Sequence, residues 1–148
     1  MRIIITGHRI QKLKDYDLGF IDYAINDTIK LLMEKGASLA YSGMADGVDL
    51  WFCQACKTNN LPYIACVPFE EQDEYMSFED KTLRNSLLAT AKEIMKVRNS
   101  WMVEHCDYGI VVWDGCKGGT HNVLEQLVGN GTPFYWINPM SKKVWHCA

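Results

Sequence analysis

Residues Tyr108 to Thr120 read YGIVVWDGCKGGT. The first six are an apolar, β-branched run of strand length. Asp114 to Gly118 carries turn chemistry. From Thr120 the pattern becomes helical, and Gly129-Asn130-Gly131 stops it. A strand, a glycine-rich turn and a helix in immediate succession form half of a parallel β-α-β unit. Pro133 to Ile137 supplies the next strand. The tail from Asn138 carries no clear pattern.

Upstream, the same alternation recurs. Arg2 to Thr6 (RIIIT) is a short buried strand that ends at Gly7. Leu18 to Lys35 is predicted helical, because Phe20, Ile21, Ala24, Ile25, Thr28, Leu31 and Leu32 recur at helical spacing. Gly36 ends it. Ser38 to Tyr41 reads as a second strand and Ser42-Gly43 as a turn. Asp46 is the expected cap of a helix carrying Val48, Leu50, Trp51, Cys53, Ala55 and Cys56. Pro62 to Val67 is a third strand. Phe69 to Phe78 (FEEQDEYMSF) has no period and reads as a loop. Its acidic residues form a solvated face, or Phe69 and Tyr75 lid a crevice. Lys81 to Ala91 is helical, Ile94 to Val97 a short strand, and Asn99 to His105 one more helix. Strands alternating with helices throughout predict a single α/β domain over residues 1–148. Its sheet is mostly parallel and covered on both faces.

The totals fit that reading. The 148 residues are 48% hydrophobic and 22% charged, a composition that buries one sizeable core. Net charge is −3, which opposes nonspecific nucleic-acid binding, since that needs a basic surface. No apolar run approaches the roughly 18 residues of a membrane span. Of the six cysteines, Cys53 and Cys56 fall in a helical pattern, Cys66 in a strand and Cys106 beside one, as small buried hydrophobes do, and no signal peptide is expected ahead of the first strand. A reducing cytoplasm is the expected setting. Cys53 and Cys56 form a C-x-x-C without a second ligand pair, since His105, Cys106 and His121 are scattered. No metal and no cofactor is expected.

In open parallel sheets, ligands bind outside the carboxyl ends of the strands. Three such ends are rich in glycine and polar groups: Thr6-Gly7-His8-Arg9, Ser42 to Gly47, and Asp114 to Thr120. In the last, Gly118 and Gly119 let a ligand approach the backbone. The helix that follows offers free N–H groups and its positive dipole end to an anion. Thr120 adds a hydroxyl. Arg9 suits a phosphate or carboxylate, with His8 beside it, or is a solvated loop residue. Gly43 and Gly47 belong either to the pocket or to close packing of helix on strand. Arg98 can reach the crevice from its far side. Asp49, Asp107 and Asp114 have no carboxylate partner evident in the sequence, so no acid/base pair is assigned from spacing. No G-x-S-x-G elbow or G-x-x-x-x-G-K-[ST] loop is present.

ITGHR (Ile5 to Arg9), SGMADGVDLW (Ser42 to Trp51), RNSWMVEHCDYGIVVWDG (Arg98 to Gly115) and GGTHN (Gly118 to Asn122) together resemble the SLOG superfamily, and within it the YpsA-like branch. The DNA-processing protein A family and the lonely-guy phosphoribohydrolases are neighbours. The resemblance spans about Met1 to Pro139. It implies a Rossmann-like three-layer sandwich that binds a nucleotide or nucleotide-derived molecule. It implies phosphate on Gly118, Gly119 and Thr120, with Ser42, Gly43 and Gly47 as the second wall. Thr6, Gly7, His8, Arg9 and Asn122 complete the ligand set. It is compatible with a homo-oligomer.

Lonely-guy enzymes cleave a base from a ribose monophosphate and carry a P-G-G-x-G-T-x-x-E type motif. Arg98 roughly matches their arginine. Here Asn122 stands close to the place of their glutamate, with Glu125 a helical turn further on. Asparagine cannot act as a general acid or stabilise an oxocarbenium-like centre by charge. The expected function is therefore a binding module, as a sensor or a sequestering protein. The enzyme alternative hydrolyses an N-glycosidic bond or transfers a sugar, using Arg98 with Glu125 or Asp114. A third alternative is single-stranded DNA binding. Against it stand the acidic charge and the placement of Trp51, Trp101, Trp113 and Trp136 in helices and strands, where core packing is the default.

Overall fold

The computed structural model describes residues 1–68 and 75–148. Phe69 and the acidic residues Glu70, Glu71, Asp73 and Glu74 lie outside the described residues.

Among the described residues seven strands form one sheet: β1 (Arg2–Gly7), β2 (Leu39–Ser42), β3 (Tyr63–Val67), β4 (Glu93–Lys96), β5 (Tyr108–Val112), β6 (Phe134–Asn138) and β7 (Lys143–Cys147). Their spatial order is β4-β3-β2-β1-β5-β6-β7. All pairings are parallel except β6 with β7. The helices are α1 (Ile10–Leu13), α2 (Leu18–Glu34), α3 (Val48–Thr58), α4 (Phe78–Thr90), α5 (Asn99–Glu104) and α6 (Gly119–Gly129).

The three layers follow from the period-two alternation of strand side chains. Ile3 and Ile5 of β1, Ala40 of β2, Tyr63 and Ala65 of β3, and Ile110 and Val112 of β5 face one side. There they meet Ile21, Ile25, Ile29 and Leu32 of α2, Leu50 and Phe52 of α3, and Leu87 of α4. Ile4, Tyr41, Ile64, Cys66 and Val111 face the other side. They meet Met102 and Val103 of α5 and Val123 and Leu127 of α6. Both clusters are almost wholly buried, at about 1.5–3 kcal/mol for each large aliphatic side chain removed from water. The single-domain Rossmann-like architecture is the one expected.

The structure corrects two local expectations and adds two elements. Asp46 does not cap α3. Gly47 holds the N-cap position at φ 85°, with no side-chain cap, and the Asp46 carboxylate accepts from Arg9 Nε instead. Second, Ile10–Leu13 forms a short helix, α1, anchored by the fully buried Leu13. Four residues are too few to show a period. Third, the tail forms β7, an antiparallel edge strand whose residues are mostly exposed. An edge strand solvated on both faces loses its apolar alternation. Fourth, the fourth helix begins at Phe78, three residues ahead of the expected Lys81. Ser77 caps it, accepting the Asp80 N–H at 3.1 Å.

The topology fixes where the crevice lies. From β1 the chain builds outward through β2, β3 and β4. It then crosses back to β5 on the other flank of β1 and continues to β6 and β7. The direction reverses between β1 and β5, where the connecting helices leave to opposite faces and their starts part.

Candidate functional site

A cavity of about 370 Å³ opens at the carboxyl end of β1. Its floor is the end of β1 itself, Thr6, Gly7, His8 and Arg9. One wall is the start of α6, with Gly119, Thr120 and Val123. The other is Ala45 and Asp49 on the β2–α3 side, with Asn99 and Met102 of α5. Gln11 and Lys12 of α1 close the rim.

Two glycines make this geometry reachable. A Cβ on Gly7 would stand 2.6 Å from the Val48 side chain, so the end of β1 and the start of α3 touch with no room for a larger residue. A Cβ on Gly47 would stand 2.7 Å from the backbone N of Ile10 and 2.9 Å from the carbonyl of His8. Its positive φ adds a second requirement for glycine. Gly47 therefore serves packing between two turns, and its own atoms do not line the cavity.

The α6 wall is open. A Cβ on Gly119 would meet nothing within 4 Å, and one on Gly118 would stand 3.5 Å from Lys12 Nζ. The Lys12 ammonium thus lies against the turn at the positive end of the helix. Lys12 forms no ion pair among the described residues. The half-exposed Arg9 is already paired with Asp46. Thr120 is buried, and its hydroxyl makes no hydrogen bond within the described residues. The turn, one ammonium and one hydroxyl together present donors to the cavity, a combination suited to an anion.

His8 is nearly buried and fixed from behind. Its Nε2 lies 2.9 Å from Asp114 Oδ1. Tyr16 donates its hydroxyl to Asp114 Oδ2 at 2.9 Å, and the Cys116 N–H donates to Oδ1 at 3.0 Å. Burial pushes the Asp114 carboxyl up, but these three hydrogen bonds outweigh it and hold its pKa down at about 2. Asp114 stands behind the cavity as the group that orients His8. In turn, that carboxylate pushes the Tyr16 hydroxyl up, through the hydrogen bond it accepts.

Asp49 is the carboxyl that does face the cavity. Its Oδ2 accepts the Ala45 N–H at 3.1 Å. Ser42 donates its hydroxyl to the Asp49 backbone carbonyl at 3.1 Å and accepts from the Met44 N–H at 3.3 Å. Ser42 is fully buried, so it braces the wall without lining it. Burial, with repulsion from Asp46, pushes the Asp49 carboxyl up to about 7, although the Ala45 N–H and Arg9 oppose the shift.

The structure therefore brings Thr6, Gly7, His8, Arg9, Gly119 and Thr120 to one cavity, with Gly118 beside them. It leaves others outside. Arg98 is exposed at the start of α5 and Asn122 is exposed on α6; neither lines the cavity. Glu125 is 67% exposed and pairs with His121 at 2.9 Å one helical turn back. Tyr75 is 82% exposed and also stands outside the lining. Cys53 and Cys56 are fully buried in α3, and burial pushes the Cys53 thiol up to about 12. Neither thiol is available as a thiolate.

Asp49, Asn99 and Lys12 are cavity residues that spacing did not select. Their signals were adjacent to residues that were selected. Asn99 follows Arg98, Lys12 stands three residues after Arg9, and Asp49 stands three residues after Asp46, in the first turn of α3.

No family model matches the chain. It is 28% identical to the uncharacterized SPbeta prophage-derived protein YoqJ of Bacillus subtilis (strain 168), over 77% of this chain and 79% of that protein. Among solved structures it is similar to the X-ray structure of TM1055, a structural genomics target. The TM-score is 0.56 at 16% identity, over 90% of this chain and 71% of that one. At that identity the likeness concerns the fold alone, an α/β Rossmann-like sandwich.

Proposed function

We propose that this protein binds a nucleotide or nucleotide-derived ligand in the cavity at the β1/β5 switch point. In this reading it is a sensor or sequestering module of the SLOG superfamily, in its YpsA-like branch. The observation that carries the reading is the open Gly118-Gly119-Thr120 turn, with Lys12 against it and the end of β1 beneath. A phosphate on the turn accepts the free N–H groups of α6, the Thr120 hydroxyl and the Lys12 ammonium. The remainder of the ligand extends over β1 toward Asp49 and Asn99.

Retention is favoured over turnover. Of the two carboxylates that would serve glycosidic cleavage, Asp114 is held by His8 and Tyr16, and Glu125 stands on the exposed face of α6 beside His121. Neither faces the space beside the turn. Single-stranded DNA finds little support. Trp101, Trp113 and Trp136 pack against the α5/α6 side of the core, and Trp51 packs against the other side. No ladder of open rings lines the cavity.

Native mass spectrometry of the protein mixed with a nucleotide panel, followed by chromatography of the panel, tests the reading. A retained, unaltered nucleotide is the expected result. Release of free base would overturn retention in favour of hydrolysis. No retained mass with any nucleotide would overturn the ligand class.

A further inference from the structure

The cavity has a second polar end, on the far side of β1 from the phosphate turn. There Gly43, following β2, is buried behind the lining and leaves no room for a side chain, so Asp49 and Asn99 draw together at the cavity wall. A Cβ at Gly43 would stand 3.2 Å from Asp49 Oδ2, 3.4 Å from Asn99 Oδ1 and 3.6 Å from the Met102 methyl. A carboxyl oxygen and a carboxamide oxygen thus stand within 3.4 Å of one point, with the Met102 methyl beside them. The carboxyl is held in place, since Oδ2 takes the Ala45 N–H. Asp49 Oδ1 and the Asn99 side chain make no hydrogen bond within the described residues. One free carboxylate oxygen next to an amide that both donates and accepts is a match for vicinal hydroxyls. It is a poor match for a second phosphate, which the carboxylate would repel.

We propose that the end of the cavity between Asp49 and Asn99 holds the sugar hydroxyls of a ribonucleotide and so selects ribose over deoxyribose. The inference rests on the nucleotide reading above. The dehydration that pushes the Asp49 carboxyl up, reinforced by Asp46 and countered by Arg9 and the Ala45 N–H, adds to it. A ligand hydroxyl donating to Asp49 replaces water that the carboxylate has lost. An acceptor that the bound ligand covers without supplying that hydroxyl penalises the deoxy analogue.

Isothermal titration at pH 8, where the carboxylate is ionised, decides the matter. The probes are the adenine, guanine, cytosine and uracil nucleoside mono- and triphosphates, with their 2′-deoxy and 2′,3′-dideoxy counterparts. Wild type is expected to bind a ribonucleotide about tenfold or more tighter than its dideoxy form. Asp49→Ala and Asn99→Ala are each expected to weaken the ribonucleotide and spare the dideoxy form, so that the ratio falls toward one. Asn99 is exposed, so its variant carries the test if circular dichroism shows Asp49→Ala unfolded. Equal wild-type affinity for the ribose and dideoxy forms would overturn the sugar site and leave the nucleotide reading standing. So would a ratio that persists in Asn99→Ala. Failure of every phosphorylated probe to bind wild type would overturn both.

Discussion

Asp114 is committed before any ligand arrives. Its two oxygens take the Tyr16 hydroxyl, the Cys116 N–H and the His8 ring, and its pKa falls from 3.8 to about 2. A carboxyl whose folded pKa is depressed contributes stability that is present above its unfolded pKa and lost as pH falls through the folded one. The window here runs from about pH 4 down to about pH 2. Asp114→Asn is expected to cost on the order of 2 kcal/mol at pH 7. Urea denaturation across the window checks it: the gap between wild type and variant narrows as pH falls from 4 to 2. A gap that stays constant would mean that Asp114 contributes through shape alone. At the same scale, Lys12 and Arg9 differ despite equal charge. Arg9 is already neutralised by Asp46, whereas Lys12 lies beside Gly118 with no acidic partner among the described residues.

At the scale of elements, the site is a meeting of turns. The β1–α1 turn, the β2–α3 turn and the β5–α6 turn converge because β1 lies between β2 and β5. Gly47 is where two of them touch. Gly47→Ala places a Cβ 2.7 Å from backbone N of Ile10 at a φ of 85°, and neither clash nor dihedral has an inexpensive escape. A loss of about 2 kcal/mol or more is expected, and thermal unfolding measures it. Gly119 is the opposite case. It has free space around it and a helical backbone that accepts a side chain. Gly119→Val is therefore expected to leave the unfolding midpoint near wild type while abolishing ligand retention, since the isopropyl group fills the space over the turn. Retention undiminished in that variant would move the phosphate away from α6.

For the molecule as a whole, charge and layering set what partners it can take. The net charge of −3 gives no broad positive field, and some exposed cations pair with carboxylates, Lys142 with Asp17 and Arg2 with Asp107. A labelled single-stranded oligonucleotide at about 0.15 M salt is expected to show no rise in fluorescence anisotropy at micromolar protein. A rise that falls steeply with added salt would reverse that view. Among the described residues no helix is long and apolar enough to cross a membrane.

Much of the fold was legible in the chain, because buried parallel strands and amphipathic helices carry strong, local patterns. IIIT, YIACV and YGIVV are apolar without alternation, as strands covered on both faces must be. Leu18–Glu34 carries five turns of apolar spacing and an aspartate cap, Asp17, whose Oδ1 takes the Phe20 N–H at 3.1 Å. The pieces that were not legible are short or solvated: α1 has too few residues to show a period, and β7 has no buried face to impose one. The site divided in the same way. The glycine turns at the strand ends announce themselves in sequence, since few other residues fit where backbones approach closely. Which side chains turn into the crevice is set by long-range partners. His8 is oriented by Asp114, 106 positions away. Arg9 meets Asp46 across 37 positions, and Asp49 and Asn99 draw together beside Gly43, where no side chain keeps them apart. The sequence alone determined the layers, the parallel sheet and the glycine-rich rim, because these depend on periodicity and backbone freedom. The tertiary structure alone decided that Asp114 and Glu125 are already paired and that Asp49 faces the cavity. The direction a carboxylate takes depends on which distant donors the fold brings within hydrogen-bonding reach.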